Sequence, residues 1–433
     1  MMKIVKLSSR GIISEVRGIR KKQRASTKNI EHHVDKIIQT VIARGDPGLT
    51  YLTEKFDNVK IRPKDFEVKK SIINASEKTI SKEVKLAIQT SYRRVVDYQK
   101  RKLPKSYTYK DRLGNTLGWT INPIRRIGIY VPGGTAAYPS TLIMTATLAK
   151  VAGSKEIYVV TPPSKSGINP AILYIAKLIG VKKIFQVGGA QAIAALAFGT
   201  KTIPKVDKIV GPGNIFVAIA KKKVFGEVDI DMIAGPSEVL IIADQFSNSK
   251  YIAADLIAQA EHDTEACAIL ATDSNKTAKE VRTELKIQSN LLPRRKIINE
   301  SIKKNGKIYV LRNINDAVKL TNELAPEHLQ VLVRNPNKVV NQITNAGSIF
   351  VGELSAEAFG DYIAGPSHVL PTSGNAKFSS PLSVLDFLKY SSYTKISRNG
   401  SKRLGSSVVS FAKEEGLDGH ANSISIRLKE GNG

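Results

Sequence analysis

Cysteine is nearly absent. The chain has 433 residues and a single cysteine, Cys267, so neither an intrachain disulfide framework nor a cysteine-rich zinc module can be built. Tryptophan also occurs once, and aromatics make up 6%. They do not interleave with the lysines, as the platforms that grip single-stranded nucleic acid require. No window offers the ~18 uninterrupted apolar residues of a membrane span; the most apolar stretch, around Ala190 to Phe198, is too short. The start, Met1 to Arg10, has no apolar core of signal-peptide length. These absences predict a soluble, cytoplasmic chain with no membrane partner.

Acidic residues are scarce as well: 66 Lys+Arg against 38 Asp+Glu leave a net charge of +28. Such a balance can mark a nucleic-acid binder. Here the basic residues are spread along the whole chain, with only short runs such as Lys221-Lys-Lys223 and Arg20-Lys-Lys22. Drift in surface composition explains that pattern, and no nucleic-acid partner is expected.

What remains is the balance of an ordinary globular protein, 42% hydrophobic and 24% charged. At roughly 100–200 residues per domain the length suggests several domains. The first hundred or so residues read helical. Val34, Ile37, Ile38, Val41 and Ile42 share one face of a helix that should end at the breaker Gly45-Asp-Pro-Gly48, and Ser81 to Tyr98 reads as another. From Ile127 short apolar runs alternate with helical patterns, at 127–131, 156–160, 183–187 and 208–210. A second such series starts at Glu238–Ala243 and continues through 266–271, 307–311, 329–333 and 348–351. That alternation predicts two successive α/β domains with parallel sheets. The tail from about Leu382 reads as a small, mainly helical appendage. The expected division is 1–126, a helical segment partly packed on the second α/β domain; 127–236 and 237–381, the two α/β domains; and 382–433, the appendage.

Histidines number only six, so their placement is informative. His32 and His33 sit in the N-terminal helix that carries Val34 to Ile42 and should be solvated. The other four lie in polar clusters with a carboxylate close by: Gln259-Ala-Glu-His262, Pro326-Glu-His328, Asp361 to His368, and Asp418-Gly-His420. Gln259 and His262 are three apart at a helix end. That spacing can grip one ion, and it can equally be a plain polar helix end. Glu327 and His328 offer a carboxylate and an imidazole that could share base work, or a simple loop pair. Together the four clusters point to one shared His/carboxylate site of the metal-binding kind.

Two further patterns bear on a ligand. Glycine turns at Val131–Thr135, Gly188–Gln191 and Gly211–Asn214 each lead from a strand towards a helix, where backbone N–H groups can face an anion. None spells the G-x-G-x-x-G dinucleotide fingerprint. Ala234-Gly-Pro-Ser-Glu-Val-Leu240 and Ala364-Gly-Pro-Ser-His-Val-Leu370 agree at all but one position. They are either a recurrent turn or two walls of one cleft, each presenting a serine. Cys267, within an apolar run, reads as a buried structural thiol.

The ordered set resembles the histidinol dehydrogenase family over nearly the full chain. It is carried by Gly128–Gly134, Gly188-Gly-Ala-Gln191, Val210–Asn214, Asp229–Leu240, Gln259–His262, Ala325–Leu329, Gly360–Tyr362 with Gly365–His368, and Glu415 to Asn422. The resemblance implies a zinc- and NAD-dependent oxidation of L-histidinol to L-histidine through L-histidinaldehyde, the last step of histidine biosynthesis. It implies one Zn2+ per subunit, held by Gln259, His262, Asp361 and His420, with His420 coming from the partner in a domain-swapped homodimer. Glu327 and His328 match the acid/base pair; Ser237, His368 and Glu415 match substrate-binding residues, alongside His328 and the zinc ligands. Tyr130, Gln191 and Asn214 match the dinucleotide contacts. The fold it implies pairs two incomplete Rossmann-like domains. Competing readings are a metal-dependent hydrolase, which has no use for the dinucleotide set, and a nucleic-acid module, which has no use for the four histidines.

Overall fold

The computed structural model describes residues 2–24, 28–133 and 138–430. Gly134 and Thr135, the end of the first glycine turn, lie outside the described residues. Both apolar strand series form wholly parallel sheets. The first orders its strands Lys183–Gln186, Glu156–Thr161, Arg126–Tyr130, Lys208–Val210 and Asp229–Ile230. The second runs Lys3–Lys6, Lys307–Val310, Cys267–Thr272, Glu238–Ala243, His328–Leu332 and Ser348–Val351. Leaving aside the added edge strand Lys3–Lys6, both sheets share one winding: the first strand in sequence sits beside the fourth, and the direction of winding reverses between them. Their strands read as unbroken apolar runs because both faces are covered. Two buried clusters flank the first sheet, one with Val160, Phe185 and Ile209 and the other with Ile127, Ile129 and Val159. Two more flank the second.

The N-terminal segment is divided between the two sheets. Lys3–Lys6 pairs in parallel with Lys307–Val310, and helix Ile12–Arg24 packs on helix Ile314–Leu324. The next helical stretch, Lys28–Asp57, lies instead against helix Gly189–Phe198 of the first sheet. The breaker at Gly45 produces a kink: Gly45 takes φ 54°, ψ −132°, and helix resumes directly through Pro47. Helix Lys82–Arg101 starts at Ser81, whose hydroxyl accepts from the Val84 N–H.

Two segments read as helical differ. Within 1–126, Tyr107–Lys110 and Thr116–Pro123 are strands, and within the tail Leu388–Lys395 is another; the three form an antiparallel sheet. Tyr107, Tyr109, Tyr390 and Tyr393 are β-favouring aromatics, and Tyr107 packs across strands at a tilt on Trp119. Beyond this sheet the chain ends in helices Arg398–Glu414 and Asp418–Glu430. They pack chiefly on each other, with Gly405 allowing the close approach of Leu428.

Candidate active site

The carboxyl ends of the first sheet meet the amino ends of the second. A cavity of about 120 Å³ lies between them, lined by Gly211 and Gly213 from one side and Ser237, Glu327 and His368 from the other. Ligands of parallel sheets gather beyond the carboxyl ends of strands at the switch point, and the first sheet conforms. In the second sheet the polar residues cluster at the amino ends, where Glu238 and His328 open adjacent strands. The two Gly-Pro-Ser repeats do wall one cleft, since Ala234, Gly235, Val369 and Leu370 all line it. Only one presents its serine: Ser367 is buried and donates to the Met144 carbonyl at 2.9 Å.

Glu327 and His328 are buried, 6% and 5% exposed, and both are held by the backbone of Glu238. The Glu238 N–H donates to Glu327 Oε2 at 2.8 Å, and His328 Nδ1 lies 3.2 Å from the Glu238 carbonyl. A carbonyl can only accept, so Nδ1 carries the proton and Nε2 keeps its lone pair. Nε2 is 3.9 Å from Asp361 Oδ1, and Nδ1 is 3.4 Å from Glu357 Oε1. Burial pushes the His328 imidazole down to about 4, against the upward pull of Asp361. At neutral pH these contacts are therefore those of a neutral ring. Burial, reinforced by Glu238 and Asp361, holds the Glu327 carboxyl well above the usual carboxylate range despite its backbone hydrogen bond.

Glu238 is itself anchored. Its carboxylate meets Arg20 from the first helix at 2.5 Å, and Arg20 also donates to the Leu324 carbonyl, just ahead of the Ala325-Pro-Glu327 turn. Asp361 lies in the last turn of the short helix Glu357–Tyr362, and its carbonyl lies 3.0 Å from His368 Nδ1. Burial also lowers the His368 imidazole.

Gln259 lies in the last turn of helix Ser249–Ala260, fully buried, and neither amide atom has a hydrogen-bond partner. A buried amide in that state costs free energy unless something binds it. His262 follows in the same turn and acts electrostatically on both His328 and His368. His328, Glu357 and Asp361 offer ligand atoms within 4.8 Å of one another. Oxygen and nitrogen donors of this kind suit a divalent ion such as zinc.

Glu357 escaped the sequence reading. It is 2% exposed, its Oε2 has no partner, and burial with Asp361, Glu327 and Asp255 nearby keeps its carboxyl well above the usual range. Its i, i+4 spacing to Asp361 was the available signal.

Across the cavity, Tyr130 is buried at the end of its strand, accepts the Gly189 N–H at 3.1 Å, and is pushed up to about 12 by burial. Gln191, 1% exposed, lies 3.5 Å from Asp57. Asn214 caps helix Ile215–Val224 through the Phe216 and Val217 N–H groups. Glu415 and His420 are apart from all of this. Both are exposed on the C-terminal helix pair, and among the described residues no hydrogen bond or ion pair joins either to Gln259, His262 or Asp361. His32 and His33 are exposed, and Cys267 is buried with its thiol pushed up to about 12.

Fold and site define an α/β enzyme with a buried carboxyl–imidazole pair between two parallel sheets. The sequence profile of the family described as histidinol dehydrogenase matches residues 20–428. A histidinol dehydrogenase from Clostridium acetobutylicum is 50% identical over 411 residues, covering 94% of this chain and 95% of that protein. One from Listeria monocytogenes serovar 1/2a is 45% identical over 431 residues, covering 100% of both. The crystal structure of histidinol dehydrogenase from Elizabethkingia anophelis is similar with a TM-score of 0.94 at 35% identity, covering 100% of this chain and 99% of that one. The chain belongs to the histidinol dehydrogenase family, oxidoreductases of histidine biosynthesis.

Proposed function

We propose that the protein oxidises L-histidinol to L-histidine through L-histidinaldehyde, using two NAD per turnover and one zinc ion per subunit, in the cytoplasm. The observation that carries this reading is the buried Glu327–His328 pair, supported by the buried, unpartnered Gln259 amide. Gln259, His262 and Asp361 would hold the metal with His420 of a second copy of the chain. Tyr130, Gln191 and Asn214 would hold the nucleotide on the other side of the cleft, in a Rossmann-like setting. When bound, zinc supplies a Lewis acid that fixes the substrate's imidazole and amine, and NAD supplies the hydride acceptor.

The chain's own groups then divide the proton chemistry. His328 Nε2 takes the hydroxyl proton while the carbinol carbon gives up its hydride, leaving the aldehyde. Glu327 takes a proton from water as that water adds to the aldehyde carbon. His328, having first passed its proton to solvent, takes a proton from the resulting hydrate as the second hydride leaves, giving the carboxylate. Glu327 would act as base in its ionised form, and the neutral His328 ring offers the lone pair of Nε2. Ser237, His368 and the second copy's Glu415 would close around the substrate, retaining the reactive aldehyde.

His328→Ala should cut turnover by about 10²–10⁴ while zinc content stays at one per subunit. His420→Ala should lose zinc. Full activity of the first variant, or a zinc-replete second variant, would contradict these roles.

A further inference from the structure

The Gly211-Pro-Gly213 turn walls the cavity on the nucleotide side, and both polar groups of Gly211 are held by one buried ion pair. The Gly211 N–H donates to Asp231 Oδ2 at 2.7 Å, and its carbonyl accepts from Lys221 Nζ at 3.0 Å. Lys221 and Asp231 also pair directly with each other, their side chains 3% and 0% exposed. Asp231 further accepts the Met232 N–H at 2.6 Å. Both residues line the cavity that holds Ser237, Glu327 and His368. Lys221 belongs to a run of three lysines, yet Lys222 and Lys223 turn outward to Glu31 and Asp35.

An ion pair this deep brings little stability over a well-packed apolar pair, because desolvation offsets the attraction. An apolar pair, however, could not satisfy either polar group of Gly211. The turn has no slack. Gly211 takes φ +119°, and a Cβ there would lie 2.2 Å from the Tyr130 carbonyl oxygen. Lys221 sits on the helix that Asn214 caps, and Asp231 starts the connection to Ser237 and the second sheet. The ion pair thus clamps the turn between the nucleotide-side helix and the interdomain crossing.

We propose that Lys221 and Asp231 are positioning residues that set the shape of the Gly211–Asn214 turn, and through it the affinity for NAD. This rests on the reading that NAD binds beside that turn. Neither side chain is assigned contact with the reacting atoms.

The test is a titration of NADH by its fluorescence, with steady-state kinetics alongside, on wild type, Lys221→Met and the charge-neutral double variant Lys221→Met/Asp231→Asn. The double variant guards against misfolding from a lone buried carboxylate. Kd for NADH and KM for NAD should rise by about tenfold or more in both variants, far more than kcat falls and with the histidinol KM little changed. The double variant should recover Tm without recovering affinity. Wild-type NADH affinity in a folded double variant, or affinity and kcat declining together in step with Tm, would overturn the positioning role alone. A wild type that binds no NADH would overturn the nucleotide reading, and this proposal with it.

Discussion

His328 is neutral at a pH where an exposed histidine would be partly charged, and that has a kinetic signature. Its ring is pushed down to about 4 by burial, so the fall in kcat from its protonation should come well below pH 6.5. An acid limb centred near 6.5 and abolished in His328→Gln would contradict this. Asp57, which faces Gln191, shows the opposite shift, raised to about 6 by burial. A carboxyl with a raised folded value keeps its proton in the fold. Its contribution is full below the unfolded value and is lost as pH rises through about 6. Asp57→Asn should therefore gain Tm relative to wild type between pH 4 and pH 6, then hold a constant lead; thermal melts across that range check it, and a constant difference throughout would count against it. The histidine and carboxylate members of the site were legible because they are rare or motif-bound. Arg20 and Lys221 were not, since an ordinary base carries no mark in sequence that it will be buried, and Glu357 showed only its i, i+4 spacing to Asp361. Only the fold, by covering them, reveals their roles.

At the scale of elements, the turn carrying Glu327 and His328 is braced from the far end of the chain. Helix Ile12–Arg24 delivers Arg20 to Glu238, whose backbone holds both Glu327 and His328. Removing one partner of a buried pair costs about 3–5 kcal/mol, so Arg20→Met should lower unfolding free energy by that order in denaturant titrations. It should also slow turnover more than it weakens zinc binding. An unchanged unfolding midpoint would show that the first helix does not brace the site. The parallel strands were readable because burial on both faces writes continuous apolar runs. The antiparallel sheet was not: Tyr107–Lys110 is exposed throughout and Leu388–Lys395 nearly so, leaving no burial alternation to read. Lys3–Lys6 is too short to announce itself, and its pairing with Lys307–Val310 is a long-range event.

On the scale of the whole molecule, the C-terminal helix pair extends with apolar side chains outward, among them Phe411 at 69% exposure, with Leu404, Val408 and Leu417. The shared site proposed above would need a second copy to pack near this helix pair and deliver its His420 and Glu415, and exposed apolar groups there suit such a contact. If the site is shared in this way, His420→Ala and His262→Ala subunits, each inactive alone, should regain activity when unfolded and refolded together, because mixed dimers carry one intact site. No recovery, with mixed dimers shown to form, would place His420 outside the site. Among the described residues no helix is long and apolar enough to cross a membrane.

The most direct measurement follows NADH formation by purified protein given NAD and L-histidinol, before and after chelation and zinc readdition. Two NADH per histidinol consumed, with histidine as product, lost on chelation and restored by zinc, is the expected result. A zinc-replete enzyme that forms no NADH from histidinol, or stops at one NADH with free aldehyde released, would contradict it.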